Sequence, residues 1–194
     1  MAVYDPLLRA FGKTTLSALG WKMEGLPPDV DHVVLICAPH TSNWDFGYML
    51  LISWAQDWRV HWVGKESLFK PPFGPFMRWM GGISVKRGQN ANQTQQVAER
   101  IKSSKKIIVA IAPEGTRGVA GLWKTGFYHI AHQSGSVIAL GFLDYPSKRG
   151  GFGPPLTPSG DIEADFDKIR AFYGDKTGKF PSQQGPIAIA PKRD

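Results

Sequence analysis

The sequence predicts an α/β fold: a single domain with a largely parallel central sheet flanked by helices. Three short runs carry the prediction, VVLICA (33–38), IIVAIA (107–112) and VIALGFL (137–143). They are apolar without alternation, as strands buried on both faces of a sheet must be. Helical or polar stretches separate them, and strands that alternate with helices pair in parallel. The length of 194 residues fits one domain, 1–194, which is long enough to bury a sizeable core.

The elements follow in order. Residues 4–19 place Leu7, Leu8, Phe11, Leu16 and Leu19 near helical spacing, with Arg9 and Lys13 between them. Such a helix either packs on the domain or lies in a lipid headgroup layer, where basic residues favour it. Gly25-Leu26-Pro27-Pro28 is a turn, and the strand 33–38 follows. Residues 46–58 are expected to be helical, HWVGK (61–65) a strand, and SLFKPPFGPFMRWMGG an aromatic-rich connection broken by Pro and Gly. ISVKR (83–87) is a further strand, followed by a polar helix over 91–104 and the strand 107–112. A helix over 125–134 leads to the strand 137–143. After a stretch rich in Gly and Pro, DIEADFDKIRAFYG (161–174) sets Ile162, Phe166 and Ile169 along one side of a last helix.

A net charge of +7 predicts attraction to anions: nucleic acid, anionic lipid or a phosphorylated substrate. No block of consecutive basic residues and no recognised nucleic-acid motif supports the first of these. Neither a signal peptide nor a run of roughly 18–20 apolar residues is expected. The single cysteine, Cys37, lies within an apolar strand and is expected to be a buried, inert thiol.

Two loops follow buried strands, where active sites of open α/β folds gather. The first is Ala38-Pro39-His40-Thr41-Ser42-Asn43-Trp44-Asp45. Ser42 or Asn43 can cap the following helix, returning Asp45 on its first turn towards His40. A carboxylate on one imidazole nitrogen fixes the tautomer and stabilises the imidazolium when the other nitrogen takes a proton. By itself such a spacing also arises by chance. The second loop is Pro113-Glu114-Gly115-Thr116-Arg117-Gly118. Its glycines allow a close backbone approach, and the Arg117 fork suits phosphate oxygens. Glu114 either accepts from a substrate hydroxyl or holds Arg117 in place. Arg87, at the end of the strand ISVKR, and Lys124, before the helix 125–134, stand where an anion site would need them. There is no G-x-S-x-G nucleophile elbow and no zinc-ligand pattern.

Together these motifs resemble the glycerol-3-phosphate and 1-acylglycerol-3-phosphate acyltransferase superfamily. APHTSNWD resembles the family's H-x4-D block, with His40 as base and Asp45 as its orienting carboxylate. Residues 64–87 resemble the second block, whose final arginine, here Arg87, is implicated in holding the acceptor phosphate. PEGTR (113–117), with Lys124-Thr125-Gly126 downstream, resembles the third, another acceptor-binding element. VIALGFLDYP (137–146) stands in place of the fourth, associated with the acyl donor. The pattern departs at Pro39, where many members carry asparagine, and at Ala112, often Phe.

The resemblance implies a glycerolipid acyltransferase-like fold and transfer of an acyl group from acyl-CoA or acyl carrier protein to an alcohol. It implies no cofactor beyond that co-substrate, a lysophospholipid acceptor such as 1-acylglycerol 3-phosphate, and acceptor contacts from Arg87, Glu114, Gly115, Thr116, Arg117 and Lys124. An anionic membrane surface is the implied partner, and the cytoplasmic, inner face of the cell membrane the implied location. Trp54, Trp58, Trp62, Phe69, Phe73, Phe76 and Trp79, with Lys65, Lys70 and Arg78 interspersed, are either core or an interfacial patch. A thioester hydrolase with the same His/Asp pair and a non-catalytic anionic-lipid-binding module are the competing functions.

Overall fold

The computed structural model describes residues 4–85, 90–119 and 121–189. Helix α1 (Pro6–Ala18) leads through strand β1 (Lys22–Glu24) to β2 (His32–Ala38) and α2 (Trp44–Ala55). Strand β3 (Val60–Lys65), a 3-10 turn (Glu66–Phe69), α3 (Gly74–Trp79) and β4 (Gly82–Val85) follow. Then come α4 (Asn90–Lys102), β5 (Ile107–Ile111), α5 (Gly126–Ser134), β6 (Val137–Asp144), β7 (Arg149–Phe152) and α6 (Ile162–Tyr173).

Among the described residues the strands form one sheet in the order β1-β7-β6-β2-β5-β3-β4. The five strands from β6 to β4 are parallel; β7 runs antiparallel to β6, and β1 parallel to β7. Strand β2 sits between β6 and β5, with Leu35 level with Ala139 and Ala110. Its continuous apolar sequence is explained by two cores. Val33 and Leu35 join Leu16 of α1 and Ile52 and Ala55 of α2 on one face. Val34, Ile36 and Ala38 join Ile101 of α4, Phe127 of α5 and Phe166 and Ile169 of α6 on the other.

The structure alters the sequence expectation in three places. Strands β1 and β7 lack an apolar run: KME and the glycine-rich RGGF are strands through backbone pairing, β1 at the sheet edge with β7, and β7 with β1 and β6. Helix α2 begins at Trp44 and ends at Ala55; beyond it Asp57 takes φ 57°, and Trp58 is buried in the turn. The aromatic connection contains ordered structure, because buried Phe69 stacks on Trp62 at 5.8 Å between ring centroids. Residues 86–89, including Arg87, lie outside the described residues.

The first helix packs on the domain, the first of the two expectations for it. Helix α1 packs on α2 through buried Leu16, with the Phe11 and Trp54 ring centroids 6.1 Å apart, yet Leu7 is 80% exposed and Phe11 55%. The aromatic cluster divides likewise: Trp58 and Phe69 are core, whereas Phe73, Phe76 and Trp79 face outward. Among the described residues no helix is long and apolar enough to cross a membrane.

Candidate active site

The carboxyl ends of β2, β5 and β6 converge on a single cluster. After β2, the loop 39–43 turns into α2, and Asp45 on its first turn reaches back to that loop. Asp45 Oδ2 accepts from the backbone N–H groups of Thr41 and Ser42, both at 2.9 Å, and from His40 Nδ1 at 3.1 Å. Asp45 Oδ1 accepts from the Tyr145 hydroxyl at 2.6 Å. Asp45 is buried, and burial pushes its carboxyl up. The hydrogen bonds from His40, Tyr145 and the Ser42 N–H outweigh that and hold it below the ordinary carboxylate range. With Nδ1 turned to Asp45, Nε2 on the far side of the imidazole is the nitrogen left to exchange a proton. The Asn43 side chain does not cap α2; instead Ser42 Oγ accepts from the Trp44 N–H at 3.1 Å.

Strand β5 delivers the second loop. Glu114 is buried, and its Oε2 accepts from the His40 backbone N–H at 2.7 Å. Burial keeps its carboxyl above the usual value, against the His40 N–H and imidazole, with the Asp45 charge adding to the rise. Glu114 therefore fixes the backbone that carries the imidazole, and Arg117 is held elsewhere: its guanidinium donates to the Asn43 side-chain oxygen. Gly115 has φ +67°, a conformation that favours glycine, and the Lys124 side chain lies against it, its ammonium 2.7 Å from where a Cβ would stand. Exposed Thr116 accepts from the Gly118 N–H at 3.2 Å. Thus Glu114, Gly115, Thr116, Arg117 and Lys124 lie together beside His40 and Asp45.

A cavity of about 200 Å³ opens from this cluster. His40 and Asp45 lie on its wall, and it runs between α2 and the sheet among Leu35, Met49, Trp62, Leu143 and Phe152. Cys37 also lines it; burial, with the Asp45 charge adding, pushes that thiol up to about 12, so it is not a nucleophile at neutral pH.

Sequence reasoning missed three parts of this site. Tyr145, whose hydroxyl pKa is raised by burial and by its bond to Asp45, stands in the sequence only as part of an apolar block. Its position just past β6 was the available signal. Asn43 reads in the sequence as a cap, not as the partner of Arg117. The segment after α6, which crosses the first loop through a Phe180 N–H to Thr41 Oγ1 bond of 3.1 Å, carries no local signal at all.

A family model described as Acyltransferase matches residues 21–146, the stretch holding both loops. Compared by sequence, no curated protein matches the chain. The fold is similar to the crystal structure of the 1-acyl-sn-glycerophosphate (LPA) acyltransferase PlsC from Thermotoga maritima. The TM-score is 0.57 at 20% identity, over 85% of this chain and 74% of that one. That likeness concerns the fold; the family model spans well over half of the sequence, and this chain belongs to the acyltransferase family.

Proposed function

We propose that the chain is an O-acyltransferase of phospholipid biosynthesis. It moves a fatty acyl group from acyl-CoA or acyl carrier protein to a hydroxyl of a phosphate-bearing lysolipid, 1-acylglycerol 3-phosphate being the acceptor favoured. The observation that carries this reading is the His40–Asp45 pair set at the mouth of an apolar cavity. An acyl chain in the cavity would present its thioester carbonyl near the imidazole. His40 Nε2 takes the proton from the acceptor hydroxyl as the oxygen attacks that carbonyl. The tetrahedral adduct collapses, the C–S bond breaks, and the proton passes from the imidazolium to the departing sulfur. Asp45 stabilises the imidazolium between the two transfers. Arg117 and Lys124 hold the acceptor phosphate, with Arg87 assigned the same task by its motif, and thereby fix the hydroxyl for attack.

The test is transfer from labelled acyl-CoA and acyl carrier protein to a panel of lysolipids. A diacyl product with a phosphate-bearing acceptor is expected. Free fatty acid released at the same rate without acceptor would identify a thioester hydrolase instead, and no turnover of any donor would leave a lipid-binding module.

An anionic membrane surface is the partner this chemistry calls for, and the inner face of the cell membrane the proposed location. The exposed rings of Phe73, Phe76 and Trp79, with exposed Lys70 and Arg78 among them, support that proposal. Amphipathic rings settle at the headgroup level, and each nearby cation adds about 1 kcal/mol on an anionic surface. Reversing both charges (K70E/R78E) is expected to lower partitioning onto phosphatidylglycerol vesicles at least tenfold in a sedimentation assay. Unaltered sedimentation would exclude this face.

A further inference from the structure

Beyond the segment matched by the family model, the chain returns to the site. After α6, residues 174–189 run back over the first loop as a strap. The Tyr145 N–H donates to Thr177 O at 3.0 Å, and the Thr177 N–H to Asp144 Oδ1 at 2.9 Å. Gly178 then lies flush on the loop, where a Cβ would stand 2.7 Å from Thr41 Oγ1, and the Phe180 N–H donates to that same oxygen. In the orientation that satisfies its bonds, the Gln183 amide nitrogen donates to Thr41 O at 2.9 Å and Arg117 O at 2.7 Å. The strap therefore ties both site loops together, and it carries Lys179 at their junction.

Lys179 is exposed, and its ammonium stands 5.4 Å from the Tyr145 ring centroid, 5.9 Å from that of Trp44 and 6.0 Å from that of Phe180. Aromatic faces hold a cation in place without neutralising it. The Tyr145 ring that supports Lys179 is the one whose hydroxyl meets Asp45. Arg117 is anchored on Asn43, the residue next to Trp44. Two cations thus rest on consecutive residues of the catalytic loop, and among the described residues neither makes an ion pair with a carboxylate. A fork and a point charge carried on adjacent residues, both unneutralised, suit a phosphate group better than any neutral ligand.

We propose that Lys179, placed by the C-terminal strap, pairs with Arg117 to bind a phosphate group of the ligand at the mouth of the site. This rests on the acyl-transfer reading for the ligand's identity: the phosphate belongs either to the acceptor headgroup or to the nucleotide end of the CoA donor. Binding separates the two. Calorimetric titration with glycerol 3-phosphate probes the headgroup, and titration with adenosine 3′,5′-bisphosphate probes the nucleotide. Lys179→Ala is expected to weaken one of them about tenfold, the scale of one charge-assisted contact, with Lys179→Arg restoring most of it. KM for the corresponding substrate should rise in parallel, with a much smaller change in kcat. If Lys179→Ala binds both probes as tightly as the wild type, or the wild type binds neither, the proposal is overturned. A wild type that binds a probe yet turns over no acceptor would instead overturn acyl transfer and leave the anion site in place.

Discussion

Replacing His40 by alanine is expected to lower kcat for acyl transfer by about a thousandfold, within the 10²–10⁴ range of general-base catalysis. The Arg117 and Lys124 contacts proposed for the acceptor phosphate are untouched by the change, so acceptor KM should move little. A fall in kcat without a rise in KM is the signature of an interaction made in the transition state. The fold should tolerate the loss. His40 is one of four donors to Asp45, and the others, Thr41 N–H, Ser42 N–H and the Tyr145 hydroxyl, remain. Glu114 bonds the backbone N–H of residue 40, which alanine keeps. Steady-state kinetics beside a thermal melt decide the matter. A kcat within tenfold of wild type, at an unchanged melting temperature, would place the base elsewhere.

The parts of the site legible in the sequence are those whose geometry is local. His40 and Asp45 are five residues apart across a strand-to-helix turn, so the turn alone brings carboxylate to imidazole. The buried strands were legible for a similar reason: a strand covered on both faces must be apolar along its covered length, as β2, β5 and β6 are over 33–38, 107–111 and 137–143. Strands β1 and β7 have no such constraint, since RGGF is extended because β6 and β1 pair with its backbone.

What the sequence hid depends on contacts between distant segments. Glu114 meets the His40 N–H across 74 residues, Tyr145 meets Asp45 across 100, and Phe180 meets Thr41 across 139. Composition and periodicity do not encode such meetings. The third block could suggest that Glu114 holds Arg117, yet not that it turns inward while Asn43 takes the guanidinium. The cavity is hidden in the same way: Met49, Trp62 and Leu143 are ordinary core residues by pattern, and the space between them exists only once α2 is docked on the sheet.

Asp45→Asn is expected to reduce kcat by roughly 10²–10³-fold, about 3–4 kcal/mol of barrier, while the loop keeps its shape. Three donors converge on Oδ2 and one on Oδ1. An asparagine that places its oxygen at the Oδ2 position still accepts from the Thr41 and Ser42 N–H groups and from His40 Nδ1, so the tautomer survives. Its NH2 then faces the Tyr145 oxygen, which can accept. Only the charge is removed, and with it the partner of the imidazolium formed during transfer, in a buried setting where that charge acts strongly. Asp45→Ala lacks the acceptor as well. It should therefore cost stability, about 2–3 kcal/mol for two unpaired loop N–H groups, which Asn does not. Stability against pH gives an independent reading. Asp45 is held below its unfolded pKa, so its charge contributes stability above the ordinary carboxylate range, near pH 4. That contribution is lost as pH falls through the lowered, folded value. The difference in urea stability between wild type and Asp45→Asn should accordingly shrink on acidification below about pH 4. A constant difference across that range would mean that the carboxylate is not selectively stabilised by its donors in the folded protein, and the electrostatic role assigned to Asp45 would fall with it.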